Sequence, residues 1–317
     1  YSDTYFDVDS NKQLCLRGNR YEISGHSMPD FVPYMESQLN VKLDLETMTD
    51  REFTIHTTPI RVAHPEVDAW IEQRFGANHS MNGQERLFHS KGYSYDEILD
   101  MKSGYKRIVD TVVWAQSDQD VKDLLHKANQ SDDMCVIPFG GGTNVTHALE
   151  CPANEKRTIV SLDMTQMNNV RWIDTNNRTA EVEAGVVGTD LDMVLSKHGF
   201  TTGHEPDSNE FSTLGGWIAT AASGMKQARY GNIEDIVVSV TLITPTGVLE
   251  KFESHPRTST NFDLKRLIIG SEGNLGVIVS AVIRVQHTPE VQAFDSILFH
   301  SFEEGTAFFR HLAQTQA

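Results

Sequence analysis

Three consecutive glycines, Gly140-Gly141-Gly142, constrain this chain more than any other stretch of it. They follow the apolar run Met134-Cys135-Val136-Ile137, which reads as a buried strand, so the chain turns sharply where a strand ends. Glycine reaches positive φ without steric cost and lets another group approach the main chain closely. In Pro138-Phe139-Gly140-Gly141-Gly142-Thr143-Asn144-Val145-Thr146, the main-chain N–H groups and the hydroxyls of Thr143 and Thr146 would form an anion-binding concavity suited to a pyrophosphate. Neither the spacing G-x-G-x-x-G nor a G-K-[ST] ending is present, which excludes the Rossmann fingerprint and the P-loop here. Taken alone, a glycine triplet after a strand also fits an ordinary tight turn.

The chain has 317 residues, enough for two compact domains with a real hydrophobic core. Its hydrophobic share of 39% and charged share of 22% are those of an ordinary globular protein. The formal charge of −17 argues against a nucleic-acid partner, because phosphate backbones are held by basic surfaces. A phosphorylated small molecule needs only local donors and stays open. No run of 18 apolar residues is present, so no membrane span is expected; peripheral contact with lipid stays open. Cys15, Cys135 and Cys151 form no C-x-x-C pair; Cys135 reads as a core residue, and a reducing compartment fits better than a secretory one. No metal-ligand pattern stands out. The sequence opens on Tyr1 with no signal-peptide pattern, so any N-terminal address is expected outside it.

Residues 1–107 are polar and mixed. Within them, 29–40 is predicted as a short helix with Phe31, Met35 and Leu39 on one face. The pattern sharpens from Ile108. Ile108-Val109 and Thr111-Val112-Val113-Trp114 read as a strand. Ser117 then caps a helix whose Val121, Leu124, Leu125 and Ala128 recur at i, i+3, i+4 and i+7. With the strand at 134–137 this makes a β-α-β unit. Strands are predicted at 158–162 and 179–182. A helix follows from Thr189 or Asp190 with Leu191, Val194 and Leu195 inward, ending near Gly199. The run 236–243 is apolar in both alternating rows, as in a strand covered on both faces. Pro245-Thr246-Gly247 turns the chain into Val248-Leu249, and 277–285 repeats the strand pattern. After Pro289, a strand at Ser296-Ile297-Leu298-Phe299 and a helix over 303–313 read as the start of another domain. A βα pair cannot bury its own faces, so sequence beyond Ala317, or another partner, is expected to cover it.

Four further segments carry a resemblance. They are Gly203-His204-Glu205-Pro206-Asp207-Ser208-Asn209-Glu210, then Phe211-Ser212-Thr213-Leu214-Gly215-Gly216-Trp217, then Tyr230-Gly231-Asn232-Ile233-Glu234-Asp235, and Glu272-Gly273-Asn274-Leu275-Gly276-Val277-Ile278. With the glycine triplet they resemble the FAD-binding domain of the vanillyl-alcohol oxidase / p-cresol methylhydroxylase superfamily. The run His204-Glu205-Pro206-Asp207-Ser208 is similar specifically to the alkyldihydroxyacetonephosphate synthase family. The implied architecture is α+β: a mostly helical N-terminal region (1–107) and a two-subdomain FAD domain (108–286, dividing near 175/176). Residues 287–317 would begin an α/β substrate domain.

The resemblance also implies a site. Residues 138–144 would hold the FAD pyrophosphate, and no His or Cys lies between Pro138 and Thr146, so non-covalent FAD is expected. Residues 207–213 and Thr220-Ala221-Ala222-Ser223 would lie along the flavin, and 272–278 against the adenosine half. Thr213 would donate to the flavin edge. His204 would stand near the reacting carbon, its ordinary pKa suiting proton transfer near neutrality. Either of those two also fits a purely structural role. The pattern departs at Ala221 or Ala222, where a polar or basic residue is usual, at Ala228-Arg229, and at Asn274, where Thr is common. The implied activity is exchange of the acyl chain of acyl-dihydroxyacetone phosphate for a long-chain fatty alcohol, with flavin N5 as a covalent handle and no net redox change. A D-2-hydroxy-acid dehydrogenase of the D-lactate type shares the fold and glycine turns and is the alternative. A homodimer on the lumenal face of the peroxisomal membrane is also implied, although Thr315-Gln316-Ala317 is no peroxisomal ending. The family's acid–base Tyr, phosphate-binding Arg and His cluster would lie beyond Ala317.

Overall fold

A computed structural model describes residues 5–18, 21, 23–45, 58–97, 100, 104–249 and 263–315. The chain divides into two compact units, 1–54 and 55–317. In the first, strands β1 (Tyr5–Val8), β2 (Leu14–Arg17) and β3 (Ser27–Met28) form an antiparallel sheet, followed by helix α1 (Phe31–Leu39). Leu14, Cys15 and Leu16 are buried, and Phe6 stacks on Phe31. The helix falls where its spacing predicts, but none of its side chains is buried. The N-terminal region (1–107), predicted mostly helical, does carry helices, and the structure adds to them a meander of short strands, such as Leu14–Arg17, that no long apolar run announces.

The second unit opens with helices α2 (Pro65–Phe75) and α3 (Gly83–Phe88), separated by β4 (His79–Ser80). Then come β5 (Thr111–Trp114), α4 (Asp118–Asn129), β6 (Met134–Phe139) and β7 (Thr158–Asp163). The four strands form one sheet, β4-β5-β7-β6, parallel except for β4 at its edge. Ser117 caps α4 by accepting from the Asp120 N–H, and Val121, Leu124 and Leu125 face the core as the spacing requires. The expected boundary at 107/108 has no counterpart in the packing. Val67, Ile71 and Phe75 of α2 share a core with Val113, Leu124 and Leu162, and β4 pairs directly with β5.

The remaining strands are β8 (Val170–Asp174), β9 (Thr179–Glu183), β10 (Phe200–Thr201), β11 (Val237–Thr244), β12 (Gly247–Leu249), β13 (Val277–Arg284) and β14 (Gln286–His287). Five of them make an antiparallel sheet in the order β12-β11-β13-β9-β8. Because β8 pairs with β9, this half begins near 170 and not at 176; β8 escapes the sequence pattern since its face is half exposed. Helices α5 (Gly188–Ser196), α6 (Leu214–Ala219), α7 (Gln227–Tyr230), α8 (Ile233–Ile236) and α9 (Leu264–Ile268) complete it. Trp217 and Ile218 of α6 and Leu191 and Leu195 of α5 fill the core over this sheet. Val277 and Val279 of β13 instead join the core of the parallel half, so the two halves share packing. Arg171 fastens them further, reaching Asp118 of α4 (2.9 Å) and Glu181 and Glu183 of β9.

The expected strand 296–299 does not form. Residues 291–299 have no ladder partner, and Leu298 is 97% exposed, because a strand needs an adjacent edge and none is offered. Helix α10 (Phe302–Thr315) does form, with no buried side chain.

Candidate functional site

A cavity of about 360 Å³ opens where the loop after β6, the N-terminal end of α6 and the start of β13 converge. One wall is main chain. Residues 138–146 line it, and none of the backbone N–H groups of 140–146 donates a hydrogen bond to any described residue. The three glycines make different demands. Gly142 holds φ +65°. Gly141 needs no positive φ; a Cβ there would lie 2.0 Å from the Phe211 carbonyl oxygen, so what it requires is close approach of two main chains. An array of unpaired N–H groups beside two glycine-rich loops fits a diphosphate.

The opposite wall is built from side chains. Ser212 donates to the Ser208 carbonyl (2.9 Å) and accepts from the Trp217 indole N–H (2.7 Å). Thr213 caps α6 by accepting from the Gly216 N–H (3.3 Å), which leaves its own proton free to donate. Both hydroxyls are buried. Thr213 Oγ1 also lies 2.5 Å from the position a Cβ on Gly140 would take, so the two walls touch. At one mouth Thr146 donates to the Glu272 carboxylate (2.8 Å), joining the loops from the two sheets.

His204 is 1% exposed and does not line the cavity. Its ring meets the Trp217 ring edge-on at 4.9 Å, and Trp217 does line it. Neither ring nitrogen has a hydrogen-bond partner among the described residues. Burial pushes its pKa down to about 4, with Glu234 pulling the other way. The expectation that an ordinary histidine pKa serves proton transfer here is therefore corrected: the ring is neutral well below neutrality.

Of the other residues predicted from sequence, 138–144, Ser208, Ser212, Thr213, Thr220, Ala222, Glu272, Gly273, Gly276, Val277 and Ile278 line the cavity. Asp207, Asn209, Glu210, Phe211, Ala221, Ser223, Asn274 and Leu275 do not. Asp207, Glu210 and Ala221 are exposed. The Asn209 amide turns to Asp192, Ser223 to Gln227 and Asn232, and the Asn274 amide to the Ser271 carbonyl. Met164, Ala184 and Leu149 line the cavity although the sequence does not point to them. They come from strand ends and bends, where no local pattern marks a ligand.

The fold and this cavity define an FAD-binding protein. Residues 109–253 match the family described as "FAD binding domain". Over 315 residues, 99% of the chain, it is 38% identical to an alkyldihydroxyacetonephosphate synthase of Caenorhabditis elegans, covering 52% of that protein. It is 38% identical over 232 residues to the Dictyostelium discoideum alkyldihydroxyacetonephosphate synthase, covering 73% of this chain and 38% of that one. A solved alkyldihydroxyacetonephosphate synthase structure superposes with a TM-score of 0.78 at 32% identity, covering 91% of this chain and 53% of that one. By sequence and fold the chain is a homologue of the alkyldihydroxyacetonephosphate synthases, and it spans about half the length of the curated relatives it matches.

Proposed function

We propose that this chain is the FAD-binding part of an ether-lipid synthase, exchanging the acyl chain of acyl-dihydroxyacetone phosphate for a long-chain alcohol and releasing a fatty acid. The observation that carries the reading is the convergence of the glycine loop, the Ser208-to-Thr213 segment and the Glu272 loop on one cavity, in a homologue of these synthases. FAD, when bound, would supply covalent catalysis without net oxidation or reduction. The chain's own contributions are more local. The N–H groups of 140–146 would hold the diphosphate, and the Thr213 hydroxyl would donate to the ring edge. Trp217, fixed by Ser212 on one side and His204 on the other, would keep water from that wall.

Dissociable FAD is part of the proposal. Its support is the absence of His or Cys from 138–146, and burial that pushes the Cys151 thiol up to about 12 and the Cys135 thiol up to about 11, which leaves both protonated and unreactive. Acid precipitation of the purified protein would then leave all flavin in the supernatant. The lumenal face of the peroxisomal membrane and a homodimeric state are proposals of the same rank, resting on the family alone; fractionation and sedimentation test them.

The deciding experiment measures fatty-acid release when the intact protein, loaded with FAD, receives acyl-dihydroxyacetone phosphate and a long-chain alcohol. Alcohol-dependent release supports the synthase. Reduction of an artificial acceptor by D-lactate, with no fatty acid released, would replace it with a D-2-hydroxy-acid dehydrogenase.

A further inference from the structure

The segment directly preceding the matched FAD-binding domain contains a buried constellation that the reaction does not use. His89, which ends α3, is 2% exposed. Its Nδ1 faces the Glu85 carbonyl at 2.7 Å and its Nε2 faces the Asp163 carboxylate at 2.8 Å. Both partners are acceptors, and the contact with Asp163, which ends β7, ties the end of α3 to that strand. The other Asp163 oxygen accepts from the Thr165 N–H (2.7 Å).

The His89 ring lies 4.4 Å from that of Phe139, the residue just before the glycine triplet. The Phe139 ring in turn lies 2.9 Å from the position a Cβ on Gly142 would take. Farther along the same segment, the Tyr93 N–H donates to the Asn144 carbonyl (2.8 Å). Gly92 sits so close to that loop that a Cβ on it would be 2.3 Å from the same carbonyl oxygen. The Glu97 carboxylate holds this segment by accepting from the Gly92 and Ser94 N–H groups (2.7 and 3.1 Å). The Asn144 side chain accepts from the Ala148 N–H, closing the far end of the loop (3.2 Å).

We propose that His89, Gly92, Tyr93 and Glu97, with Asp163, form a positioning platform that sets the shape of the diphosphate-binding loop. The physical need is plain. A loop whose N–H groups of 140–146 make no hydrogen bond to the described protein has little of its own to hold it in a binding shape. Here the shape is imposed from below: Phe139 is braced by the His89–Asp163 pair, and Asn144 is braced by the backbone of 92–93. None of the five residues lines the cavity, so each acts on the cofactor only through the loop. The inference rests on FAD occupying this cavity.

The test is a titration of the intact apoprotein with FAD, followed by flavin fluorescence and resolved into affinity and stoichiometry. Gly92→Ala is expected to raise the FAD Kd about tenfold or more at unchanged stoichiometry, since small misplacements of a preorganised site are costly. ADP, which shares the diphosphate, should lose affinity by a similar factor. Simple misfolding would instead lower the stoichiometry and leave the Kd of the surviving sites unchanged. His89→Gln alone leaves the buried Asp163 carboxylate unpaired and endangers folding. The double variant His89→Gln/Asp163→Asn removes that charge and is the second arm, expected to weaken FAD and ADP together. A wild-type Kd in both Gly92→Ala and the double variant would overturn the platform. Failure of the wild-type protein itself to bind FAD, with its fold intact by circular dichroism, would overturn the cofactor reading and the platform with it.

Discussion

The two walls of the cavity are built on opposite principles. The wall at 138–146 presents main-chain donors from a loop that makes few contacts of its own, whereas the wall at 204–217 presents side chains locked to one another. On the first, glycines admit a second chain to within contact distance, as Gly141 does for the Phe211 carbonyl. On the second, the chain Ser208–Ser212–Trp217–His204 leaves scarcely any exposed surface on its last three members. A main-chain wall is broken by adding atoms; a side-chain wall is broken by removing them. That contrast orders the expected outcomes.

The largest effect is expected from Gly141→Val. Its Cβ would fall 2.0 Å from a backbone oxygen, which no rotamer change relieves. Overpacking of this kind costs about 1–3 kcal/mol, and here the strain is relieved only by separating the walls that enclose the cofactor. The purified variant should be colourless. Normal flavin content would show that the walls separate without loss of the site.

His204 comes next, through pH. With a folded pKa of about 4 against an ordinary 6.5, the unfolded chain binds the extra proton between those values. The contribution is therefore complete above pH 6.5 and is lost as pH falls towards 4, about 3 kcal/mol in all. Urea unfolding of wild type and His204→Phe at pH 7 and pH 4 measures it: the stability advantage of wild type should shrink by about that amount at the lower pH. A pH-independent difference would mean the ring is solvated. Activity separates two roles for the same residue. A loss of about 10²–10⁴-fold in His204→Ala with FAD retained, together with loss of a titrating limb from the pH–rate profile, would return it to proton transfer despite its burial outside the cavity. Near-normal rates would leave it as the support of Trp217.

Legibility in the sequence follows the same division. The main-chain wall is legible because three glycines directly after an apolar strand mark positive φ or close approach of another stretch of main chain, and this loop has both. Val121, Leu124 and Leu125 likewise fix the helix that packs against β6, the strand leading into the loop. The side-chain wall is legible only as a family pattern. Nothing local distinguishes His204, which sits in the core, from a histidine in the cavity, since its burial comes from Trp217 and Gly224, residues farther along the chain. The same limit accounts for β8, the β1–β3 meander and the missing strand at 296–299. Each depends on whether a neighbouring edge is present, which alternation alone does not reveal.

Thr213 tests the seam between the walls. Thr213→Ala removes the cap of α6 and should destabilise the fold by about 1 kcal/mol. Thr213→Ile removes the cap and also drives a branched chain towards Gly140, so it should reduce catalysis more than stability. Thermal unfolding measured beside fatty-acid release separates the two losses. Equal proportional losses in both variants would make the hydroxyl a cap alone.

The smallest effect is expected from Thr146→Val, an almost isosteric change that deletes the donor to Glu272. Thr146 is exposed, so water replaces much of what is lost, and a single hydrogen bond of this kind contributes about 1 kcal/mol or less. That corresponds to a rise in FAD Kd of no more than about fivefold. The measurement matters because Thr146 belongs to the main-chain wall, yet its side chain reaches across the mouth to the Glu272 loop. If that wall binds through its N–H groups, deleting the hydroxyl leaves them in place and the affinity nearly intact. A loss approaching that of Gly141→Val would reverse the assignment, making the closure of the mouth, and not the glycine loop, what holds the cofactor.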